Sequence, residues 1–179
     1  MPVEPERVAR ARLTAFVGSG YRHLSPKYDP LSGEGARLNG GRFNPPGSFP
    51  VLYLCLTRYR AAAELQRADQ RQAIGTGGLL PRHLFRYDMR LERVLDLTDQ
   101  HVRLSVGVSI EALIGPDWNV CQELGIAAHA LGAQAVRSPS ATGVDDVLAV
   151  FVHDLGLGRL EPQLVDEWRS LEDVLRATQ

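Results

Sequence analysis

The chain has 179 residues, of which 44% are hydrophobic and 23% charged, and its formal net charge at pH 7 is −1. This length and composition fit one soluble globular domain with a real core, and the near-neutral charge offers no polybasic surface for direct contact with nucleic acid. The first ten residues lack the apolar stretch of a secretory signal. No run of about 18 apolar residues is present, so we expect no membrane span.

The cysteine and lysine contents narrow the chemistry further. Cys55 and Cys121 are too few for a disulfide framework, which fits a reducing cytoplasm. Lys27 is the only lysine beside 19 arginines. No GK[ST] phosphate loop is therefore present, and anion binding must rely on arginine. The five histidines are scattered without metal-binding spacing, so we expect no metal.

Apolar periodicity predicts the elements along the chain. Helical spacing indicates a first helix over about residues 5–16, and "GYRHL", Gly20–Leu24, indicates a short strand. The further predicted strands cover Val51–Leu56, 83–89, 93–97, 133–138 and 146–154. The further predicted helices cover Arg58–Ile74, which ends near Gly75, then Asp117–Gly132 and an amphipathic closing helix over Asp166–Thr178. Because no regular βαβ repeat occurs, the order predicts a single α+β domain over residues 1–179, with its core at about 20–155.

The segment "SGEGARLNGGRFNPPG", Ser32–Gly47, is unusual because it combines five glycines with two arginines just before an apolar strand. It does not match the dinucleotide-binding fingerprint G-x-G-x-x-G, because Leu38 occupies the third glycine position. Glycines such as Gly40 and Gly41 let the backbone bring a guanidinium close to a ligand. The segment is therefore a candidate for anion binding.

Four residues in and around this segment form a candidate constellation: Arg22, Arg42, Tyr53 and Glu64. Two guanidinium groups suit a diphosphate, which each can grip with two hydrogen bonds. Each residue also has an ordinary structural interpretation: an exposed strand arginine, a core tyrosine, a solvated helix glutamate. Glu64 lies among alanines and Leu65, and Arg60 is expected to supply the charged helical face, which favours a functional role for Glu64.

Together these stretches resemble the RES-domain family of bacterial toxins, named for an arginine, a glutamate and a serine. The resemblance rests on "YRH", "GGRFNPPG-x-P-x-x-Y-L", "AAAEL" and "SPSATG", and runs from about Tyr21 to Val152. The segment "SGEGA" and the motif "DW-x-x-CQ-x-x-G" at Asp117–Gly125 are similar to the longer members of the family. The family implies an α+β fold like that of ADP-ribosyltransferases, with a mixed, mainly antiparallel β core flanked by helices, and enzymes that consume NAD⁺.

The resemblance also implies roles for individual residues. Arg22 and Arg42 would hold the phosphates or the nicotinamide-side ribose. Tyr53 would stack on the cationic nicotinamide. Glu64 would bind the ribose and stabilise positive charge as nicotinamide leaves. The family's serine matches Ser140 best, but in some long members a serine follows the Trp of the "DW" motif, where this chain has Asn119, and both remain candidates.

The function implied is that of a cytoplasmic toxin in a bacterial toxin–antitoxin system, which cleaves the nicotinamide–ribose bond of NAD⁺ without a metal. The acceptor of ADP-ribose stays open between a protein, which could be a nucleotide-biosynthesis enzyme, phosphate and water. The family further implies a cognate antitoxin with a helix-turn-helix, Xre-like part that blocks the NAD⁺ cleft. The alternative is a non-catalytic binding domain that retains the fold.

Overall fold

The computed structural model describes residues 3–72, 78–140 and 145–178. Its strands are β1 (Thr14–Leu24), β2 (Val51–Cys55), β3 (Arg82–Asp96), β4 (Ala135–Pro139), β5 (Asp146–Phe151) and β6 (Arg159–Trp168). Its helices are α1 (Pro5–Arg10), α2 (Glu34–Asn39), α3 (Arg58–Gln72), α4 (Gln100–Val106), α5 (Ile110–Ile114), α6 (Asn119–Ala130) and α7 (Leu171–Arg176). The prediction of an α+β domain is confirmed.

The sheet closes on itself into a small barrel. Strands follow the order β1-β2-β5-β4-β3-β6, and β1 also pairs with β3, so that five of the six strands form a ring. All pairings are antiparallel except that of β3 with β4, as expected for a mixed, mainly antiparallel core. The ring is closed only loosely between β1 and β2, which pair at the single position Tyr21↔Cys55, and β6 lies outside the ring against β3.

Side-chain alternation divides the core into an inner and an outer part. One buried cluster combines alternate positions of the ring strands, among them Leu54, Tyr87, Met89 and Leu148, and therefore fills the barrel. A second cluster packs α4, α5 and α6 against the outer face of β2, β4 and β5. A third packs α3 and α7 beside β6 through the fully buried Trp168.

Several predicted bounds were wrong. The first helix ends at Arg10, and β1 begins soon after it, at Thr14, and is 11 residues long instead of five. The two strands predicted over 83–89 and 93–97 are one continuous strand, β3. The closing helix was predicted from Asp166, but β6 continues to Trp168 and α7 begins at Leu171. The predicted helix end near Gly75 lies outside the described residues.

Candidate active site

A gap between β1 and β2 organises the candidate site. The two strands pair at Tyr21↔Cys55. Their antiparallel continuation would place Arg22 opposite Leu54 and His23 opposite Tyr53, but the pairing stops at Tyr21, while β1 follows β3 as far as Leu24. The strands therefore part beyond Tyr21 and leave an opening in the barrel wall, with Arg22 on one border and Tyr53 on the other.

Arg22 approaches this gap from the inner side of the barrel. Alternation along β1 turns it to the same face as Gly20, whose position packs against interior side chains. Its Nη1 donates a hydrogen bond of 3.2 Å to the carbonyl of Ser32. The guanidinium also contacts the hydroxyl of Tyr87, which donates to the carbonyl of Pro30 at 2.7 Å. Arg22 thus anchors the start of the glycine-rich segment beside the gap between β1 and β2.

Tyr53 lies on the outer face of β2 and anchors the far part of the same segment. Its hydroxyl accepts a hydrogen bond of 2.7 Å from the Phe43 N–H and donates one of 2.8 Å to Oδ1 of the fully buried Asn44. Burial raises the pKa of Tyr53, so the phenol stays neutral at physiological pH. A Cβ on Gly41 would lie only 2.5 Å from the tyrosine ring, so a glycine is required over it. Stacking of Tyr53 on nicotinamide stays a prediction.

The glycine-rich segment is more regular than its composition indicates. Residues Glu34–Asn39 form α2, and Gly40 ends it with a φ of 74°, a conformation that glycine adopts readily. The next residues make a tight turn, in which the Gly41 N–H donates to the Asn44 carbonyl at 2.8 Å. Hydrogen bonds at Ser32 and Asn44 therefore hold both ends of α2 against the gap.

Arg42 projects from this turn and ties it to the end of α5. Its Nη1 donates to the carbonyls of Leu113 and Gly115 at 2.7 and 3.0 Å, and its guanidinium carbon lies 5.4 Å from the centre of the Trp118 ring. These contacts satisfy carbonyls at the end of a helix. Binding of an NAD⁺ phosphate by Arg42 stays a prediction, and the contacts seen in the structure anchor the turn.

The motif at Asp117–Gly125 forms the socket for this turn. Beside Trp118, Gln122 donates through Nε2 to the Gly41 carbonyl at 3.0 Å. Gly125 packs so closely that a Cβ there would lie 1.8 Å from the Phe43 carbonyl oxygen. Asn119 is exposed at the first position of α6, and its backbone N–H donates to Asp117 at 3.0 Å. Asn119 therefore follows directly on Trp118, the residue whose ring lies beside the Arg42 guanidinium.

Glu64 lies on α3, beside the point at which β1 and β2 part. Its carboxylate neighbours the Cys55 thiol, and its side chain is 46% exposed, so it is accessible to a ligand. Oε1 of Glu64 lies 3.9 Å from Nε of Arg60, whose Nη2 donates to Oγ of Ser140 at 2.7 Å. The structure thus brings Glu64 and Ser140 together through Arg60.

The assignment of Arg60 to the solvated helical face was wrong. The residue is 5% exposed, because its side chain turns towards Ser140 instead of solvent. A spacing argument within α3 could not show this, since Ser140 lies 80 residues further along the chain.

The two thiols are poor candidates for nucleophilic chemistry. Burial first, and then the Glu64 carboxylate, raises the pKa of Cys55. Burial also raises the pKa of Cys121, and the neighbouring Arg42 only partly opposes it. Because the thiolate is the reactive form, neither position favours attack on a substrate.

Two further kinds of site are absent from the described ranges. Among the side chains that the structure describes, which leave out residues 67–77 and 141–144, no group of three or more His, Cys, Asp or Glu is arranged to hold a metal ion. Nor does this part of the chain contain a helix that is long and apolar enough to cross a membrane.

The barrel fold and the sequence motifs at this site are those of a known protein family. The chain belongs to the RES domain family, whose model matches residues 14–170. This confirms the resemblance seen in the glycine-rich segment and the "AAAEL" helix.

Named relatives make the similarity specific. The chain is 38% identical over 161 residues to proteins called NAD(+) phosphorylase MbcT in Mycobacterium bovis and Mycobacterium tuberculosis, covering 88% of this chain and 87% of theirs. The fold is similar to a chain of the crystal structure of the M. tuberculosis MbcT–MbcA toxin–antitoxin complex, with a TM-score of 0.78, 30% identity, and coverage of 97% of this chain and 96% of that one.

Proposed function

We propose that this protein is the toxin of a toxin–antitoxin system and that it degrades NAD⁺ by phosphorolysis. The observation that carries the proposal is the 38% identity, over nearly the whole domain, to proteins named NAD(+) phosphorylase. The gap bordered by Arg22, Tyr53 and Glu64 supplies residue types that suit this substrate.

The reaction would break the N-glycosidic bond between nicotinamide and the ribose C1″. Its electron pair goes to the pyridinium nitrogen, which gives neutral nicotinamide. An oxygen of hydrogen phosphate forms the new bond to C1″, and the product is ADP-ribose 1″-phosphate. Positive charge develops on the ribose as nicotinamide leaves, and a carboxylate at this point stabilises it. The half-exposed Glu64 is the group we assign to this role.

The other site residues would bind and orient the dinucleotide. Arg22, at the inner border of the gap, would meet a phosphate or the ribose. Tyr53 would offer its ring to nicotinamide, and the buried Ser140 would act through its contact with Arg60. Arg42 and Asn119 lie by Trp118, beyond the turn, where they would contact the remoter part of NAD⁺.

Phosphate is proposed as the acceptor because the relatives are named for it. Transfer of ADP-ribose to a protein or to water differs only in the nucleophile, and the same assay distinguishes the three. A non-catalytic binding domain would release no nicotinamide at all.

The proposal includes a protein partner. A similar chain was crystallised in a toxin–antitoxin complex, and we propose that an antitoxin with a helix-turn-helix part restrains this toxin by occupying its NAD⁺ cleft. Co-expression with the neighbouring gene should restore the growth that expression of the toxin alone abolishes. Continued inhibition by the pair would argue against this partner.

The test is an incubation of purified protein with NAD⁺, with and without phosphate, followed by mass analysis of the products. We expect nicotinamide and ADP-ribose 1″-phosphate only when phosphate is present. Glu64→Gln should abolish turnover, whereas the matched control Glu92→Gln, at an exposed position of β3, should not. Full activity of Glu64→Gln would show that this carboxylate is a solvated helix residue. If a cell lysate is added to the same incubation, ADP-ribose attached to lysate proteins would indicate a protein acceptor instead.

A further inference from the structure

Arg60 combines full charge with deep burial. Among the described residues, it is the one charged side chain in the buried set, at 5% exposure. A buried charge costs several kcal/mol unless neighbouring groups compensate it. The contacts of Arg60 should therefore explain why a charged side chain occupies this buried position.

The guanidinium of Arg60 reaches two residues of the candidate site. Nη2 donates to Ser140 Oγ at 2.7 Å, and Ser140 itself is 2% exposed. Nε lies 3.9 Å from Oε1 of Glu64, one turn further along α3. Because the guanidinium is a planar and rigid fork, its hydrogen bond to Ser140 also directs the Nε edge towards the Glu64 carboxylate, which lies at ion-pair distance.

The backbone at Arg60 is held to the same partner region. Its N–H donates to Thr57 Oγ1 at 3.3 Å, and that hydroxyl donates to Asp145 Oδ2 at 2.9 Å. The Ser140 N–H donates to the Asp145 carbonyl at 3.0 Å. The first turn of α3 and the facing ends of β4 and β5 are thus joined on two sides, and the Arg60 side chain spans the space between them.

We propose that Arg60 is a positioning residue, which holds the Glu64 carboxylate and the Ser140 hydroxyl in the arrangement that NAD⁺ cleavage requires. The inference rests on the proposed function. Arg60 acts through these two groups and not by touching NAD⁺. A half-exposed glutamate has several rotamers, and a displacement of about 1 Å at a reacting group can lower a rate on the order of a hundredfold.

Steady-state kinetics of Arg60→Gln and Arg60→Lys test the proposal. Both variants should lose kcat by on the order of a hundredfold, with KM for NAD⁺ within about threefold of wild type. Lysine keeps the charge but is a point donor that cannot span both partners, so it should not restore the rate. If Arg60→Gln does not fold, Arg60→Lys carries the test alone.

The matched control is Arg103→Gln. Arg103 also joins a helix to a neighbouring segment, through Nη1 bonds to the carbonyls of Leu97 and Thr98 at 2.9 and 2.8 Å, but these contacts involve no candidate site residue. This variant should keep the wild-type kcat even where its thermal midpoint falls.

A double variant separates positioning from general stability. If Arg60 acts through Ser140, then Arg60→Lys with Ser140→Ala should be no slower than the slower single variant, because residues that act as a unit are not additive. The proposal would be overturned if the loss of kcat in the double variant equalled the product of the two single losses. It would also be overturned if Arg60→Lys had the wild-type kcat. Lack of NAD⁺ turnover by the wild-type protein would instead refute the proposed function, so the two failures are distinguishable.

Discussion

The contact between α6 and the turn after α2 gives a sharp test of how the site is built. Gly125→Ala places a Cβ 1.8 Å from the Phe43 carbonyl oxygen and 2.7 Å from its carbon. Contacts shorter than 3.0 Å do not occur for real Cβ atoms, so helix and turn must separate by at least 1.2 Å, the difference between 3.0 and 1.8 Å. The obstacle is backbone, which cannot rotate away.

The expected cost can be set against the gain in helix propensity. Overpacking in a core costs typically about 1–3 kcal/mol and occasionally more, while alanine gains about 1 kcal/mol over glycine inside a helix. Because a Cβ only 1.8 Å from backbone calls for the upper end of that cost, we expect a net loss of about 2 kcal/mol in the free energy of unfolding, which lowers the thermal midpoint of a domain of this size by roughly 4–8 °C. Because the displaced turn carries the partners of Tyr53, NAD⁺ turnover should fall as well.

Gly35→Ala is the matched control. Gly35 lies in α2 of the same glycine-rich segment, and a Cβ added there would have no neighbouring heavy atom within 4 Å. The thermal midpoint of this variant should be unchanged or higher, because alanine adds up to about 1 kcal/mol to the free energy of unfolding at a helical position. The reasoning is refuted if reversible thermal unfolding gives Gly125→Ala and Gly35→Ala the same midpoint and both retain full turnover.

Three further predictions concern buried polar groups. Tyr53→Phe keeps the ring but deprives the Phe43 N–H and the buried Asn44 of their hydrogen-bond partner. Denaturant titration should therefore show that the free energy of unfolding falls by about 1–3 kcal/mol. An unchanged free energy of unfolding would contradict a stabilising role for these two hydrogen bonds. Burial, followed by the charge of neighbouring arginines, lowers the pKa of His23 from 6.5 to about 4, so the unfolded chain binds the proton first and stability falls as the pH drops from 6.5 towards 4. The free energy of unfolding should therefore decrease by about 2 kcal/mol between pH 7 and pH 5, and His23→Gln should lack this decrease; equal pH dependence of both proteins would contradict it. Finally, a thiol reagent at pH 8 should modify neither cysteine in the folded protein and both in denaturant, whereas rapid reaction of the native protein would show that the thiols are accessible.

Local sequence patterns predicted the elements whose signals are local. β2, β4 and β5 are apolar runs bounded by turn residues, and α3 and α6 have long helical periodicity, so their positions were predicted within a few residues. The start of α7 was missed although Ser170 and Asp173 form a capping box, which is a recognisable signal for a helix beginning at Leu171. The apolar spacing of Val165, Trp168 and Leu171 continued the helical pattern backwards into β6.

Contacts between distant segments could not be predicted. Arg42 meets Leu113 across 71 residues, and Arg60 meets Ser140 across 80. Composition shows that a guanidinium is present but not whether a phosphate or a backbone carbonyl satisfies it. The glycine-rich segment and the Asp117–Gly125 motif were both recognised by resemblance, yet their relation as turn and socket follows only from the fold.

The most direct test of the account follows the oxygen that joins C1″ after nicotinamide leaves. Wild-type protein is incubated with NAD⁺ and with phosphate in which all the oxygens are ¹⁸O, and the products are weighed by mass spectrometry. We predict ADP-ribose 1″-phosphate that retains the whole labelled phosphate, including the bridging oxygen, with one nicotinamide released for each product. Three results would each contradict phosphorolysis by this protein: free ADP-ribose without ¹⁸O, protein that carries ADP-ribose without ¹⁸O, or NAD⁺ that remains intact.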